Sequence, residues 1–274
     1  MTLYPALDVH GVDGELALAV VDQHGPTALE DLDGRVRIFF PSRESRHDAH
    51  AELTRVMPRA LVAGVDVDDE DWARRSQQSL APVTVGRITI VPATPDPAGT
   101  PSGPQALAGP LIVIQPSMGF GTGHHATTRL CLQALQSFSL AGASVLDVGT
   151  GSGVLAIAAR MLGARQVVGI DNDPDAVSSA AENLRLNRVD RVRFELADLM
   201  TATGPEADVV TANLTGALVR RAARQLLSAL PRGGSLVIGG VLAEERDAVI
   251  AAFAQAKLVW EAQEEGWAAL RFSV

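Results

Sequence analysis

At 274 residues and 47% hydrophobic content, the chain holds enough apolar material for one large α/β domain and a small one, which excludes a disordered polypeptide. A formal charge of −9 argues against holding nucleic acid through its own surface, since phosphate neutralisation needs clustered Lys and Arg. The lone Cys131, the lack of any zinc-like Cys/His spacing and the lack of a leader or membrane-length apolar run lead us to expect a cytoplasmic protein without disulfide, metal or membrane partner.

Residues 1–67 read as short elements. Apolar Leu3 to Val9, helical Gly14 to Asp22, Thr27 to Leu32, β-rich Arg35 to Phe40, a helix from Ser45 to Val56 and a strand from Ala60 to Val67 give a β-α-β-β-α-β order. That order suggests a ferredoxin-like α+β domain, although Leu16 to Val21 could equally be a strand. Residues 68–110 read as a linker: a polar helix from Asp68 to Leu80, a strand from Arg87 to Val91, and a Pro/Gly-rich loop from Pro92 to Pro110.

The third segment, 111–274, opens with a strand at Leu111 to Ile114 and a helix at Arg129 to Phe138. Strands are then expected at Ser144–Val148, Gln166–Asp171, Val192–Leu196, Asp208–Ala212 and Ser235–Gly239. Helices at Gly153–Leu162, Pro174–Leu186, Leu214–Leu230 and Ala243–Ala256 alternate with them, which implies a parallel sheet covered on both faces. Leu258–Ala262 and Trp267–Val274 close the chain across Glu264-Glu265-Gly266. So short a connection forces an antiparallel pair. An otherwise parallel sheet ending in a reversed hairpin resembles the seven-stranded, Rossmann-like methyltransferase fold.

Asp147-Val148-Gly149-Thr150-Gly151-Ser152-Gly153 joins a strand to an apolar helix, the arrangement in which backbone approaches a ligand at the carboxyl end of a sheet. A dinucleotide fingerprint needs glycine at the first, third and sixth positions, and Val154 occupies the sixth. Glycine falls on the fifth instead, at Gly153, with Asp147 two residues ahead of Gly149. This is similar to the first motif of methyltransferases. A carboxylate near the turn attracts the sulfonium and ammonium of S-adenosylmethionine and would repel a pyrophosphate. Asp171, 22 positions after Gly149, can accept from ribose hydroxyls or cap the following helix, a role Asn172 or Asp173 could also fill. Asp198 can accept from the adenine amino group or serve as a turn acid. Asn213, at the end of the fourth strand, can orient an amine or cap a helix.

Phe120-Gly121-Thr122-Gly123-His124-His125-Ala126-Thr127-Thr128 offers backbone N–H groups and hydroxyls to an anion such as the carboxylate of S-adenosylmethionine. Its adjacent histidines point apart and have no carboxylate or cysteine nearby, so no metal is expected. At this loop the chain resembles the ribosomal protein methyltransferase PrmA family, which modifies large-subunit ribosomal protein eleven and reads F-G-T-G-T-H-P-T-T there. His124 and Ala126 depart from that pattern, as does Ala93, where the family has tryptophan. The resemblance continues through Leu130-Cys131-Leu132, the glycine turn, Gly169-Ile170-Asp171 and Ala212-Asn213-Leu214, and back to Asp71-Trp72 and Pro82-Val83-Thr84-Val85-Gly86-Arg87. It covers roughly residues 68–274.

The resemblance implies S-adenosylmethionine contacts at Thr128, Gly149, Asp171 and Asn213, with Asp147, Gly151, Phe120, Gly121, Thr122 and Asp198 as further candidates. It also implies a small first domain that recognises a ribosomal protein of the large subunit. The expected chemistry is in-line attack of a neutral lysine or N-terminal amine on the sulfonium methyl, with S-adenosylhomocysteine leaving as a neutral thioether. A lysine of pKa about 10.4 must give up roughly 4 kcal/mol of proton binding near neutral pH. Desolvation beside a positive sulfonium lowers that pKa without a dedicated base. Asn213 is thus expected to position the amine, with His125 an outside candidate for a base. The alternatives are a related methyltransferase of another protein lysine or a small amine, and a non-catalytic S-adenosylmethionine-binding regulator.

Overall fold

The computed structural model describes residues 3–32, 34–68, 82–93, 109–115, 125–201 and 204–274. They divide into two compact units, one ending within the first 79 residues and the other carrying the rest of the described chain. Of the helix expected from Asp68 to Leu80, Asp68 is instead the last residue of a strand, and the rest, with Asp71-Trp72, lies outside the described residues, as does most of the Pro/Gly-rich stretch.

The first unit runs β1 (Leu3–His10), α1 (Gly14–Val21), β2 (Ala28–Leu32), β3 (Arg35–Phe39), α2 (Arg43–Val56) and β4 (Leu61–Asp68). Its four-stranded sheet has the order β2-β3-β1-β4, with every neighbouring pair antiparallel. The ambiguous Leu16 to Val21 stretch is helical. Asp13 accepts the Leu16 N–H through its side chain at 3.1 Å, and Ala17 and Val21, four apart, are buried while Leu16 is exposed. Leu7, Val9, Val36 and Ile38 pack beneath these helices with Ala49 and Leu53. On the opposite face of the sheet the Arg37 guanidinium donates to both carboxylate oxygens of Asp8, its cross-strand partner, at 2.5 and 2.9 Å.

The second unit begins with β5 (Val83–Val85), β6 (Ile88–Pro92) and β7 (Leu111–Ile114), which form a three-stranded sheet in that order. β5 escapes a sequence reading because it is only three residues long and follows Pro82. Next come α3 (Ala126–Gln136), β8 (Ser144–Val148), α4 (Val154–Met161), β9 (Gln166–Asp171), α5 (Pro174–Asn187), β10 (Val192–Leu196) and β11 (Val209–Asn213). The chain continues through α6 (Gly216–Arg221), α7 (Ala223–Ser228), β12 (Ser235–Leu242), α8 (Arg246–Ala252), β13 (Lys257–Glu264) and β14 (Trp267–Ser273). The seven-stranded sheet has the order β10-β9-β8-β11-β12-β14-β13. β8 to β12 are parallel, and β14 alone runs against its neighbours β12 and β13. β8 is buried along its whole length, as a central strand covered on both faces must be. Separate apolar clusters occupy the two faces, one around Ile157 and Leu135 and the other around Leu226 and Phe253.

Two expected helices are corrected. The span 214–230 starts later, because the chain stays extended through Thr215, and is interrupted at Ala222, whose φ of −92° and ψ of 6° leave the helical range. The span 243–256 is a short 3-10 turn at Ala243–Glu245 followed by α8. β12 runs past the expected Gly239 through a register shift between Ile238 and Val241. Glu265 and Gly266, with φ of 50° and 80°, make the tight two-residue turn that reverses the chain into β14. Among the described residues no helix is long and apolar enough to cross a membrane.

Candidate active site

The chain builds outward from β8 to β9 and β10, then returns to β11 on the other side of β8. That reversal opens a crevice at the carboxyl ends of the strands, where open α/β sheets bind ligands. The turn after β8, Asp171 at the end of β9, Asp198 just past β10 and Asn213 at the end of β11 all fall on this edge.

The turn is tied to the next strand: the N–H groups of Gly149 and Thr150 both donate to the Ile170 carbonyl, at 2.9 and 3.0 Å. Gly149 has φ of 69°, and a Cβ there would collide with the Leu214 side chain. Gly153, at φ of 78°, starts α4, and its missing Cβ leaves room for Phe194 and Ala180, which would lie 2.8 and 3.1 Å away. Asp171 accepts the Gly151 N–H at 2.9 Å through one carboxylate oxygen and the Asp173 N–H at 3.1 Å through the other. The cap of α5 is Asp173, which accepts from Asp175 N–H at 2.9 Å, so Asp171 is not that cap.

Asp147 stands beneath the turn, 1% exposed, rather than on its surface. The hydroxyls of Thr150 and Thr211 donate to its two oxygens at 2.7 and 2.5 Å, and burial pushes its pKa up despite them. Asp147 thus anchors the turn to β11 from beneath rather than lining its surface. Sequence reasoning missed Thr211, which occupies an inward position of an unbroken apolar strand. Asp198 is exposed, and its carboxylate accepts the Met200 N–H at 2.8 Å in a local turn. It sits beside the end of β9, where Ala197 N–H donates to the Asp171 carbonyl at 2.8 Å.

Asn213 lies opposite Gly239 in the β11–β12 register, and a Cβ at Gly239 would come within 3.0 Å of its Oδ1. Glycine at 239 thus leaves the amide its space. The N-cap of α6 is Thr215, so Asn213 is not spent on capping. The start of α3 meets the same corner, since the Thr127 carbonyl would lie 3.5 Å from that Cβ. Thr128 is buried in the first turn of α3. His125 caps the helix: its Nδ1 accepts the Thr127 N–H at 3.3 Å, and its ring meets Trp267 edge-on with centroids 5.1 Å apart. Arg129 pairs with Glu264 and Glu265 at 2.8 and 3.0 Å, so the β13–β14 hairpin holds the beginning of α3. Phe120, Gly121, Thr122 and His124 lie outside the described residues. Among the described residues no group of three or more His, Cys, Asp or Glu side chains could hold a metal ion.

The segments that follow the five parallel strands, 149–153, 172–173, 197–200, 214–216 and 243–245, contain no lysine or arginine. With Asp171 and Asp198 at the rim and Asp147 below, this edge suits a cationic nucleoside and offers a pyrophosphate no basic side chain. The sequence model of the family described as ribosomal protein L11 methyltransferase (PrmA) matches residues 19–274. The chain belongs to the PrmA family. A ribosomal protein L11 methyltransferase of Geobacter sulfurreducens is 42% identical over 256 residues, covering 88% of this chain and 83% of that protein. One from Burkholderia multivorans is 40% identical over 208 residues, or 75% of this chain and 66% of that protein. The crystal structure of a ribosomal protein L11 methylase from Lactobacillus delbrueckii subsp. bulgaricus superposes with a TM-score of 0.63 at 25% identity, covering 72% of this chain and 98% of that one. The PrmA chain described here is accordingly an S-adenosylmethionine-dependent methyltransferase, and its glycine turn, its acids and the absence of basic side chains at the strand ends fit that donor.

Proposed function

We propose that the protein transfers methyl groups from S-adenosylmethionine to lysine or N-terminal amines of ribosomal protein L11, a large-subunit ribosomal protein, in the cytoplasm. The observation that carries this is the meeting of Asn213 and the start of α3 beside Gly239, at the crevice that the glycine turn also borders. The names of the relatives support the substrate.

Thr128, Gly149, Gly151, Asp171 and Asn213 would hold the donor, with Asp198 beside the base, Asp147 acting from beneath, and Phe120, Gly121 and Thr122 contributing from the loop before α3. When bound, S-adenosylmethionine supplies an electrophilic methyl group on a sulfonium. Asn213 accepts an N–H of the incoming amine and turns its lone pair toward the reaction axis. The Nδ1 of His125 accepts the cap bond of α3, which supports a structural part for that nitrogen. The first unit recognises the ribosomal protein; its β-α-β-β-α-β order and β2-β3-β1-β4 sheet support a ferredoxin-like reading.

Incubating the purified chain with labelled donor and individual ribosomal proteins tests the assignment. Label is expected on ribosomal protein L11, with the modified amines located by mass spectrometry. Transfer only to a different protein or to a small amine would overturn the substrate, and donor binding without transfer to anything in a cell extract would overturn the catalytic reading.

A further inference from the structure

Two asparagines one helical turn apart on α5, Asn183 and Asn187, reach the edge of β7. Asn187 closes a two-way pair with a single residue: its Oδ1 accepts the Val113 N–H at 2.8 Å and its Nδ2 donates to the Val113 carbonyl at 2.7 Å. Asn183 divides its amide between two segments. Its Oδ1 accepts the Gln115 N–H at 2.7 Å, while its Nδ2 donates to the carbonyl of Ser152, inside the glycine turn, at 2.9 Å. Asn183 is fully buried and Ser152 nearly so, so a carbonyl deprived of this donor would be left without water to replace it.

Ser152 sits between Gly151, whose N–H is held by Asp171, and Gly153, which packs against Ala180 of α5. The peptide groups flanking Ser152 are therefore fixed from both ends of one stretch of chain, the β9 terminus and the helix that follows it. We infer that Asn183 is a positioning residue for the methyl donor: by holding the Ser152 carbonyl it sets the direction in which the turn presents its backbone, without touching the ligand. This rests on the placement of S-adenosylmethionine at the glycine turn.

The test compares Asn183→Ala, Asn183→Asp and Asn187→Ala with the wild type, using calorimetric titration of S-adenosylhomocysteine, steady-state kinetics and thermal melting. Wild-type binding checks the placement itself; its absence would sink the proposed site, whereas the variants address Asn183 alone. Asn183→Ala is expected to weaken binding about tenfold, the scale of one buried hydrogen bond, and to raise KM for the donor with kcat within about twofold. Asn187→Ala is expected to lower the melting temperature and keep wild-type affinity, since its bonds go to Val113 of β7 and to the backbone carbonyl of Asn183, and none reaches the glycine turn. Asn183→Asp keeps the acceptor toward Gln115 and replaces the donor toward Ser152, so its affinity relative to wild type should fall at neutral pH and recover as the introduced carboxyl is protonated. That recovery carries the comparison even if Asn183→Ala does not fold. Equal affinities in the wild type and Asn183→Asp across pH, or equal losses in the Asn183 and Asn187 variants, would overturn the inference.

Discussion

The Asp171 carboxylate accepts the Gly151 N–H at 2.9 Å across the mouth of the crevice. One side chain thus shapes the glycine turn and still faces the ligand edge with its remaining lone pairs. Asp171→Ala removes both functions, and hydrogen bonds to a charged group contribute about 1.5–3 kcal/mol each. S-adenosylhomocysteine affinity should drop by roughly ten- to a hundredfold, with Asn in place of Ala recovering part of it. An unchanged dissociation constant in calorimetry would remove Asp171 from the site.

Asn213→Ala separates positioning from binding. If the amide orients the incoming amine, kcat should fall on the order of a hundredfold while product affinity changes little. Single-turnover methylation alongside product titration measures the two separately. A loss confined to KM for the donor would reassign Asn213 to donor binding.

Gly149→Ala places a Cβ at φ of 69° and against the Leu214 side chain. The backbone cost alone is about 1–2 kcal/mol, and the collision adds to it. Urea unfolding should show that loss together with weakened donor binding. A variant as stable as the wild type would mean that the turn shifts to accept the side chain.

Two carboxylates give stability opposite dependences on pH. Burial holds Asp147 above its ordinary range, so the folded state binds its proton more tightly than the unfolded one does. Its contribution is most favourable in acid and declines as pH rises from the ordinary Asp value of about 3.9 through the raised folded value. Asp147→Asn should flatten that decline in unfolding experiments run across pH. Asp208 has the reverse sign, because the N–H and hydroxyl of Ser144 hold its carboxyl below the ordinary range. Its stabilisation is complete above the unfolded value and lost as pH falls through the folded one. Ser144→Ala should therefore be less stable than wild type at neutral pH, with the gap narrowing in acid.

The first three strands of the large sheet were legible in the sequence because β8, β9 and β10 are bounded by turn-forming residues, and their ends agree with the sequence reading residue for residue. The reversed hairpin was legible for a similar reason, since a short polar link cannot lead to a parallel strand. The break at Ala222 was not, because Ala-Ala-Arg within a run of good helix formers carries no helix-breaking residue. The strand-end residues Gly149, Asp171 and Asn213 could be named from their motifs. The depth of Asp147 could not, because its burial depends on Thr211, 64 residues away, closing over it. Asn183 was invisible for the opposite reason: an asparagine pair four apart on a helix reads as a solvent face until β7 is laid against it.

Those two amides also do for β7 what another strand would do. β7 ends its sheet, and a bare end strand is a template on which a second chain can pair. The side chains of Asn183 and Asn187 occupy the Val113 and Gln115 backbone groups that such a chain would use, in the same donor and acceptor sense as a neighbouring peptide. The helix therefore occupies backbone groups on which a second chain could otherwise pair, and replacing both asparagines should leave that edge open.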